Sequence, residues 1–315
     1  MFIARGIGVS LALFLLVYVP ASLAVSRGWN LLQEVFEPRT ARASASLLFA
    51  LRMLPFGLAS VFTLGFTLPS FLLLEPRSTD ETVGAAPLVL GLCCLALLVA
   101  GIVQAASAQM KTSQALIKWL DGSTVMDSTD AVPVFRTAKD TPSLTVAGVR
   151  EPKVLVSEAA IAALTATELR AALKHEVAHA QSYDNLKKLL FRFSVFPGMT
   201  GLERAWSEQT ELAADDAAVL CCQDALDLAS ALIKVSRLTT LQPTAALTTG
   251  LLHSSTALGT RVQRLVSWEN APAPTPSSTR WRYALPSLSG VLFLVVVTYG
   301  PALNGLHLIT EWLVR

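Results

Sequence analysis

The chain has 315 residues, of which 52% are hydrophobic and only 15% charged, against the quarter usual for soluble domains. Its 25 basic and 23 acidic side chains leave a formal net charge of +2, and the absence of any basic tract argues against a direct partnership with nucleic acid. A mean hydropathy of +0.51 argues instead for contact with a lipid bilayer.

Four stretches are apolar and long enough to cross about 30 Å of hydrocarbon. They are Ile7–Val25, Met53–Leu74, Val83–Ala106 and Ala284–Leu306. The second carries Pro55 and Pro69, which a spanning helix tolerates where neighbours re-satisfy the backbone. The chain is therefore expected to divide into three spans with short loops over 1–107, a polar domain over 108–270, a Pro/Ser-rich linker over 271–283 and a last span within 284–315.

Basic residues set the orientation. Arg27, Arg39, Arg42 and Arg52 fall between the first two spans, whereas the 75–81 loop has Arg77 against three acids. Lys111 and Lys118 follow the third span, and Arg280 and Arg282 precede the fourth. The positive-inside rule then places the first loop and the polar domain in the cytoplasm. Ser22-Leu23-Ala24 offers a rival signal-peptidase site, which would invert the rest, but the apolar run is longer than a usual signal core. The cysteines come as adjacent pairs, Cys93-Cys94 and Cys221-Cys222. Neighbouring cysteines are poor disulfide partners and read as small buried residues.

Within the polar domain, Val132–Phe135, Ser143–Ala147 and Lys153–Ser157 read as short strands, the last two joined by a turn over Gly148–Pro152. Such a strand either pairs with a substrate backbone at a cleft edge or serves as a structural hairpin. Thr165 and Glu168 then form a capping-box signature. The helix it opens carries His175-Glu176-Val177-Ala178-His179, an H-E-x-x-H pentapeptide. Histidines at i and i+4 project from one face and can share a Zn²⁺ ion. Glu176 lies beside the open position, where it can take a proton from water and hand it to a leaving amine.

The apolar 189–202 segment is too short to span and is broken by Pro197 and Gly198, as a re-entrant segment or a buried helix pair would be. The Ala-rich segment Glu203–Cys222 is helical in propensity. It offers Glu211 as a third metal ligand and Asp215, one turn on, as the acceptor for the far nitrogen of a ligand histidine. Asp224–Leu238 reads as a plain amphipathic helix and Thr260–Trp268 as another. His253 is the candidate for stabilising an oxyanion, with Arg261 and Arg264 as rivals that more often lie at a surface.

The run from His175 to Asn185 (HEVAHAQSYDN), with Trp206 and Glu211-Leu212-Ala213-Ala214-Asp215-Asp216, resembles the BlaR/MecR-type antirepressor metallopeptidases of bacterial membranes. It resembles, more distantly, the CaaX-prenyl and heat-shock membrane proteases. The likeness covers roughly residues 140–266. It departs from the family's Asn-Pro pair in the connecting segment, where Phe196 precedes Pro197.

The resemblance implies a mainly α membrane protein in the bacterial cytoplasmic membrane. A zincin-like α+β catalytic domain, helices plus a small hairpin or sheet, would sit between the third and fourth spans. It implies zinc on His175, His179 and Glu211, Glu176 as base, Asp215 and Asp184 as supports of the ligands, and a cytoplasmic repressor as protein substrate. Family members that sense β-lactams carry an extracellular penicillin-binding domain; here the signal is expected through the spans, a short loop or a sensor partner protein. A housekeeping quality-control protease, and a non-catalytic transducer with a structural metal site, stand as alternatives.

Overall fold

The computed structural model describes residues 2–32, 40–74, 84–126, 132–138, 141–238, 248–250, 255–268, 299–301, 303–305 and 308. The protein is mostly helical with one small mixed sheet. It divides into two compact units. The first comprises Met1–Gly28, Met53–Val99 and Pro272–Arg315, the second Trp29–Arg52 and Ala100–Ala271.

Among the described residues, three helical segments are long and apolar enough to cross a membrane: Arg5–Leu31, Ala41–Leu74 and Ala85–Leu120. They correspond to helix α1 (Phe2–Leu32), to α2 (Ala41–Phe62) continued by a π-helical turn (Thr63–Thr67) and α3 (Leu68–Leu74), and to α4 (Ala85–Leu120). All three overrun the expected spans. Their faces expose large apolar side chains such as Leu64, Leu92 and Val103, which suit contact with lipid tails. Of the expected fourth span only 299–301 and 303–305 are described, as helix; the expected linker lies outside the described residues.

In the first unit, Phe14, Tyr18 and Phe56 pack edge to face. Gly91 lies so near α1 that an added Cβ would stand 3.0 Å from Gly8 O, the small-residue crossing that lets membrane helices approach. Pro69 has no N–H to give Gly65 O, its ordinary i−4 acceptor. Tyr299 Oη donates to that carbonyl instead, at 2.8 Å. Ser70 Oγ likewise donates to Leu303 O at 3.0 Å. The Tyr299 side chain thus meets the carbonyl left open at the proline, and Ser70 ties the same stretch to the 303–305 helix.

The second unit holds a five-stranded sheet in the order β1 (Thr124–Met126), β2 (Val134–Thr137), β4 (Lys153–Ser157), β3 (Leu144–Ala147), β5 (Thr248–Gly250). Among the described strands only the β2–β4 pairing is parallel. The expected 143–157 hairpin is present, and Gly148 at φ +100° supplies its turn. It sits inside the sheet: β5 covers the outer edge of β3, so among the described strands the hairpin is structural and offers no free edge. The outer strands β1 and β5, of three residues each, were too short to show a period in the sequence.

Val134, Val146, Val154 and Val156 of the sheet form one core with Ala172 and Val177 of α6 (Ala166–Gln181) and Leu228 and Leu232 of α9 (Cys222–Leu238). Between α6 and α9 in the chain lie α7 (Asp184–Phe193) and α8 (Thr200–Ala218); α5 (Glu158–Ala163) precedes them and α10 (Ser255–Val266) follows. The 189–202 segment is the end of α7, a connection and the start of α8, with Phe191, Met199 and Leu202 buried. Three of the four cysteines depart from expectation. Cys221 and Cys222 are exposed at the α8–α9 turn and Cys93 is exposed on α4, whereas Cys94 is buried. A turn and a lipid-facing helix surface accept small residues without burying them.

Helix α6 starts where the capping box placed it. Glu168 N–H donates to Thr165 Oγ1 at 3.3 Å, and Thr165 N–H to Glu168 Oε2 at 2.8 Å. The same carboxylate accepts from Ser230 Oγ at 2.6 Å and from Lys234 Nζ at 2.7 and 2.8 Å, clasping α9 to the start of α6. Burial by itself would raise the Glu168 carboxyl; hydrogen bonds from Lys234, Ser230 and Thr165 overcome it and hold the group at about 2. Since an unfolded glutamate titrates near ~4.3, this contribution is complete above that pH and is lost as pH falls toward 2. Glu168→Gln is expected to cost about 1–2 kcal/mol at neutral pH. It should also flatten the acid limb of the thermal unfolding midpoint between about pH 4.5 and 2.5; an unchanged limb would assign the acid sensitivity elsewhere.

Candidate metal centre

His175 and His179 leave α6 on one face and meet Glu211 of α8, all three buried and with ligand atoms within 4.8 Å of one another. The two Nε2 atoms stand 3.1 Å apart, and Glu211 carboxylate oxygens lie 3.6 Å from His175 Nε2 and 3.7 Å from His179 Nε2. Ligands about 2.0–2.1 Å from one tetrahedral ion are separated by roughly 3.3 Å, so the three groups are close enough together to hold a metal ion.

The rear of each imidazole is fixed by a carboxylate. His179 Nδ1 lies 2.7 Å from Asp184 Oδ2. His175 Nδ1 lies 3.0 Å from Asp215 Oδ1, an ion-pair distance but bent away from the line a ring N–H needs for a hydrogen bond. Asp184 thus engages Nδ1 of His179, and both Nε2 atoms face each other and the Glu211 carboxylate. That is a donor set for a cation, and two imidazoles with one carboxylate suit zinc.

Two local features make this possible. Tyr183 adopts a left-handed conformation (φ 54°, ψ 39°) between α6 and α7, turning the chain so that Asp184 faces back to His179. Such backbone is uncommon for a non-glycine residue and tends to mark constrained sites. Asn185 Nδ2 then donates to Val146 O and Gly148 O, each at 3.1 Å, fastening α7 to the β3 end.

Arg261 of α10 corrects the sequence reading. Expected at a surface or at the oxyanion, it is buried behind the ligands. Its Nε and Nη2 fork onto Asp215 at 2.8 and 2.6 Å, and its Nη1 donates to Glu211 Oε2 at 2.8 Å. The apolar spacing of Leu258, Val262 and Leu265 was the available signal, because Arg261 falls within that stripe. Arg264 pairs with Asp216 and lies over the Trp268 ring. His253 falls outside the described residues.

The site packs acids and bases tightly together. Burial would lower the imidazoles, yet Glu211 and Asp184 push His179 up to about 10, and Asp215 and Glu211 raise His175. Burial would raise the carboxyls of Glu211 and Asp215, but the histidines and Arg261 hold both below the usual range. Asp184 is likewise held down, against burial, by His179 and Lys187. Lys188 is lowered by burial against the pull of Glu211, Asp184 and Glu176. Glu176 is pushed up to about 7 by burial, with the histidines pulling the other way. Both of its oxygens are buried and lack any hydrogen-bond partner among the described residues, although the residue is fully enclosed. A carboxylate left so is costly unless a ligand or water is to meet it.

A polar cleft of about 230 Å³ opens beside the α6–α7 turn, lined by Gln181, Ser182, Asp184, Lys187 and Thr210 among others. A larger apolar cavity of about 720 Å³ lies between α9 and α10, against Ile233, Leu258 and Val262. Neither is lined by the three ligands or Glu176, so the chemistry is assigned to the enclosed site and not to the larger hollows.

No known protein-family profile matches the chain, and no curated protein matches it significantly. The site is therefore carried by its own geometry. Asp184→Asn is expected to weaken Zn²⁺ binding about 10- to 100-fold in a chelator competition, with helix content unchanged. Arg261→Met strands two buried carboxylates and should destabilise the metal-free protein by about 3–5 kcal/mol, part of it recovered on adding Zn²⁺. A loss of stability in Arg261→Met that zinc does not relieve would separate the arginine from the metal site.

Proposed function

We propose that the chain is an integral-membrane zinc endopeptidase of the BlaR/MecR antirepressor type, multi-pass in a bacterial cytoplasmic membrane. In this reading residues 284–306 form a fourth span, and the zincin-like domain faces the cytoplasm, as the basic loops require. Its substrate is a cytoplasmic protein, a transcriptional repressor whose cleavage transmits a signal. The observation that carries the reading is the enclosed, unpartnered carboxylate of Glu176 beside His175, His179 and Glu211.

When bound, zinc supplies Lewis acidity that polarises a scissile carbonyl and eases loss of a proton from water. His175, His179 and Glu211 would hold it, with Asp184 and Asp215 keeping the imidazoles turned. Glu176 accepts the proton as the water oxygen adds to the carbonyl carbon. It returns that proton to the amide nitrogen as the C–N bond breaks. Enclosure without a hydrogen-bond partner among the described residues leaves this carboxylate free to do both. His253 remains the proposed oxyanion partner.

Complete enclosure of His175 and Glu176 favours the regulatory reading over constant housekeeping. A peptide enters only after something over the site moves, as suits an enzyme held shut until signalled. Glu176→Gln should keep Zn²⁺ bound and lower cleavage by at least about 10²-fold. Comparing new protein N-termini in cells expressing wild type and this variant tests the assignment. One DNA-binding protein cut only by wild type supports regulation. Many cut membrane proteins would make it a quality-control protease, and no difference under envelope stress would leave a non-catalytic transducer.

A further inference from the structure

Arg52 lies eleven residues beyond Ala41 along α2, within a helix long and apolar enough to cross a membrane, yet only 2% of its side chain is exposed. Its Nε donates to Glu203 Oε1 at 2.8 Å. Its Nη1 donates to Ser194 Oγ at 3.1 Å, and its Nη2 to Ser194 O at 2.8 Å and Phe191 O at 3.4 Å. The guanidinium also lies over the Phe191 ring, which meets Trp206 of α8 edge-on. One side chain therefore satisfies carbonyls at the C-terminal end of α7, where no helical N–H is available, and pairs with an acid in the first turn of α8.

Both helices lead from Arg52 to the metal centre. On α7, Asp184 begins the helix whose end Arg52 holds, seven residues or about 10 Å away. On α8, Glu211 follows Glu203 by eight residues, about 12 Å along the same rod. The α7 end is also approached from α4: a Cβ on Gly101 would clash with Phe193 O, leaving that end little room to shift toward α4. Stability alone is a poor reason for this arginine. Its carboxylate partner is 36% exposed, and a well-packed apolar side chain usually serves a buried position as well or better. Specifying one helix register is what a buried guanidinium with four placed hydrogen bonds does that methionine does not.

We infer that Arg52 is a positioning residue that couples the register of α2 to the ligand geometry at His175, His179 and Glu211, an inference that rests on the metal centre assigned above. A shift of α2 by one residue moves the guanidinium about 1.5 Å along and about 100° around the helix. All four hydrogen bonds are then lost together, and the α7 and α8 ends are released at once. Asp184 and Glu211 loosen with them. A change in the membrane helix thereby reaches the metal without Arg52 touching it.

The test uses the full-length protein in lipid nanodiscs with Co²⁺ as probe, reading metal affinity and the visible ligand-field spectrum. Arg52→Met and Arg52→Lys are compared with Glu203→Gln; the lysine keeps the charge but cannot fork across carbonyl, hydroxyl and carboxylate. The expected result is at least about a tenfold loss of Co²⁺ affinity and a shifted spectrum in both Arg52 variants, with Glu203→Gln between them and wild type. A folded Arg52→Met protein with wild-type affinity and spectrum overturns the inference. A lower melting temperature with an unshifted spectrum also overturns it, since that is a structural role only. Should Arg52→Met not fold, an unchanged Glu203→Gln spectrum decides against it. Cleavage plays no part in these readouts: a wild type that binds Co²⁺ but cuts nothing removes the peptidase reading and leaves the coupling, whereas a wild type that binds no Co²⁺ removes both.

Discussion

Two imidazole lone pairs and a carboxylate, aimed at one another inside a protein, repel unless a cation stands among them. The architecture around α6 and α8 is arranged to sustain that arrangement. Asp184 and Asp215 back the two imidazoles, and Arg261 keeps Glu211 and Asp215 ionised and oriented through contacts of 2.8 and 2.6 Å. Further out, Lys234 and Ser230 clasp Glu168 so that the helix bearing both histidines begins at one fixed residue. Each layer bears carboxylates whose burial is offset by a named cation or hydrogen-bond donor. Glu176 alone among these carboxylates is left without a hydrogen bond to the described residues, which is why the chemistry is assigned to it.

Legibility in the sequence followed the range of the interaction. The capping box, the H-E-x-x-H pair and the Glu211–Asp215 spacing are local, set by one helical turn, and each could be read directly from residues three or four apart. Asp184 was named as a support of the ligands only by resemblance, and its pairing with His179 was not foreseen, because it depends on Tyr183 taking a left-handed conformation that no residue type there announces. Arg261 was misplaced because its acceptors lie 46 and 50 residues away in the chain. Arg52 was counted among the charges that orient a span, when its contacts reach 139 to 151 residues onward. The short strands β1 and β5 exist through their pairing with neighbours rather than through any pattern of their own.

The proline at position 69 carries a consequence for how the protein is made. The α-helical donor to Gly65 is missing, and its substitute, the Tyr299 hydroxyl, comes from 234 residues later in the chain. While the ribosome is still working through the polar domain, that substitute does not yet exist. The second apolar helix is therefore synthesised before the hydroxyl that meets this carbonyl. It acquires that partner only once Tyr299 has been made, so the order of translation separates synthesis of this helix from completion of its hydrogen bonding.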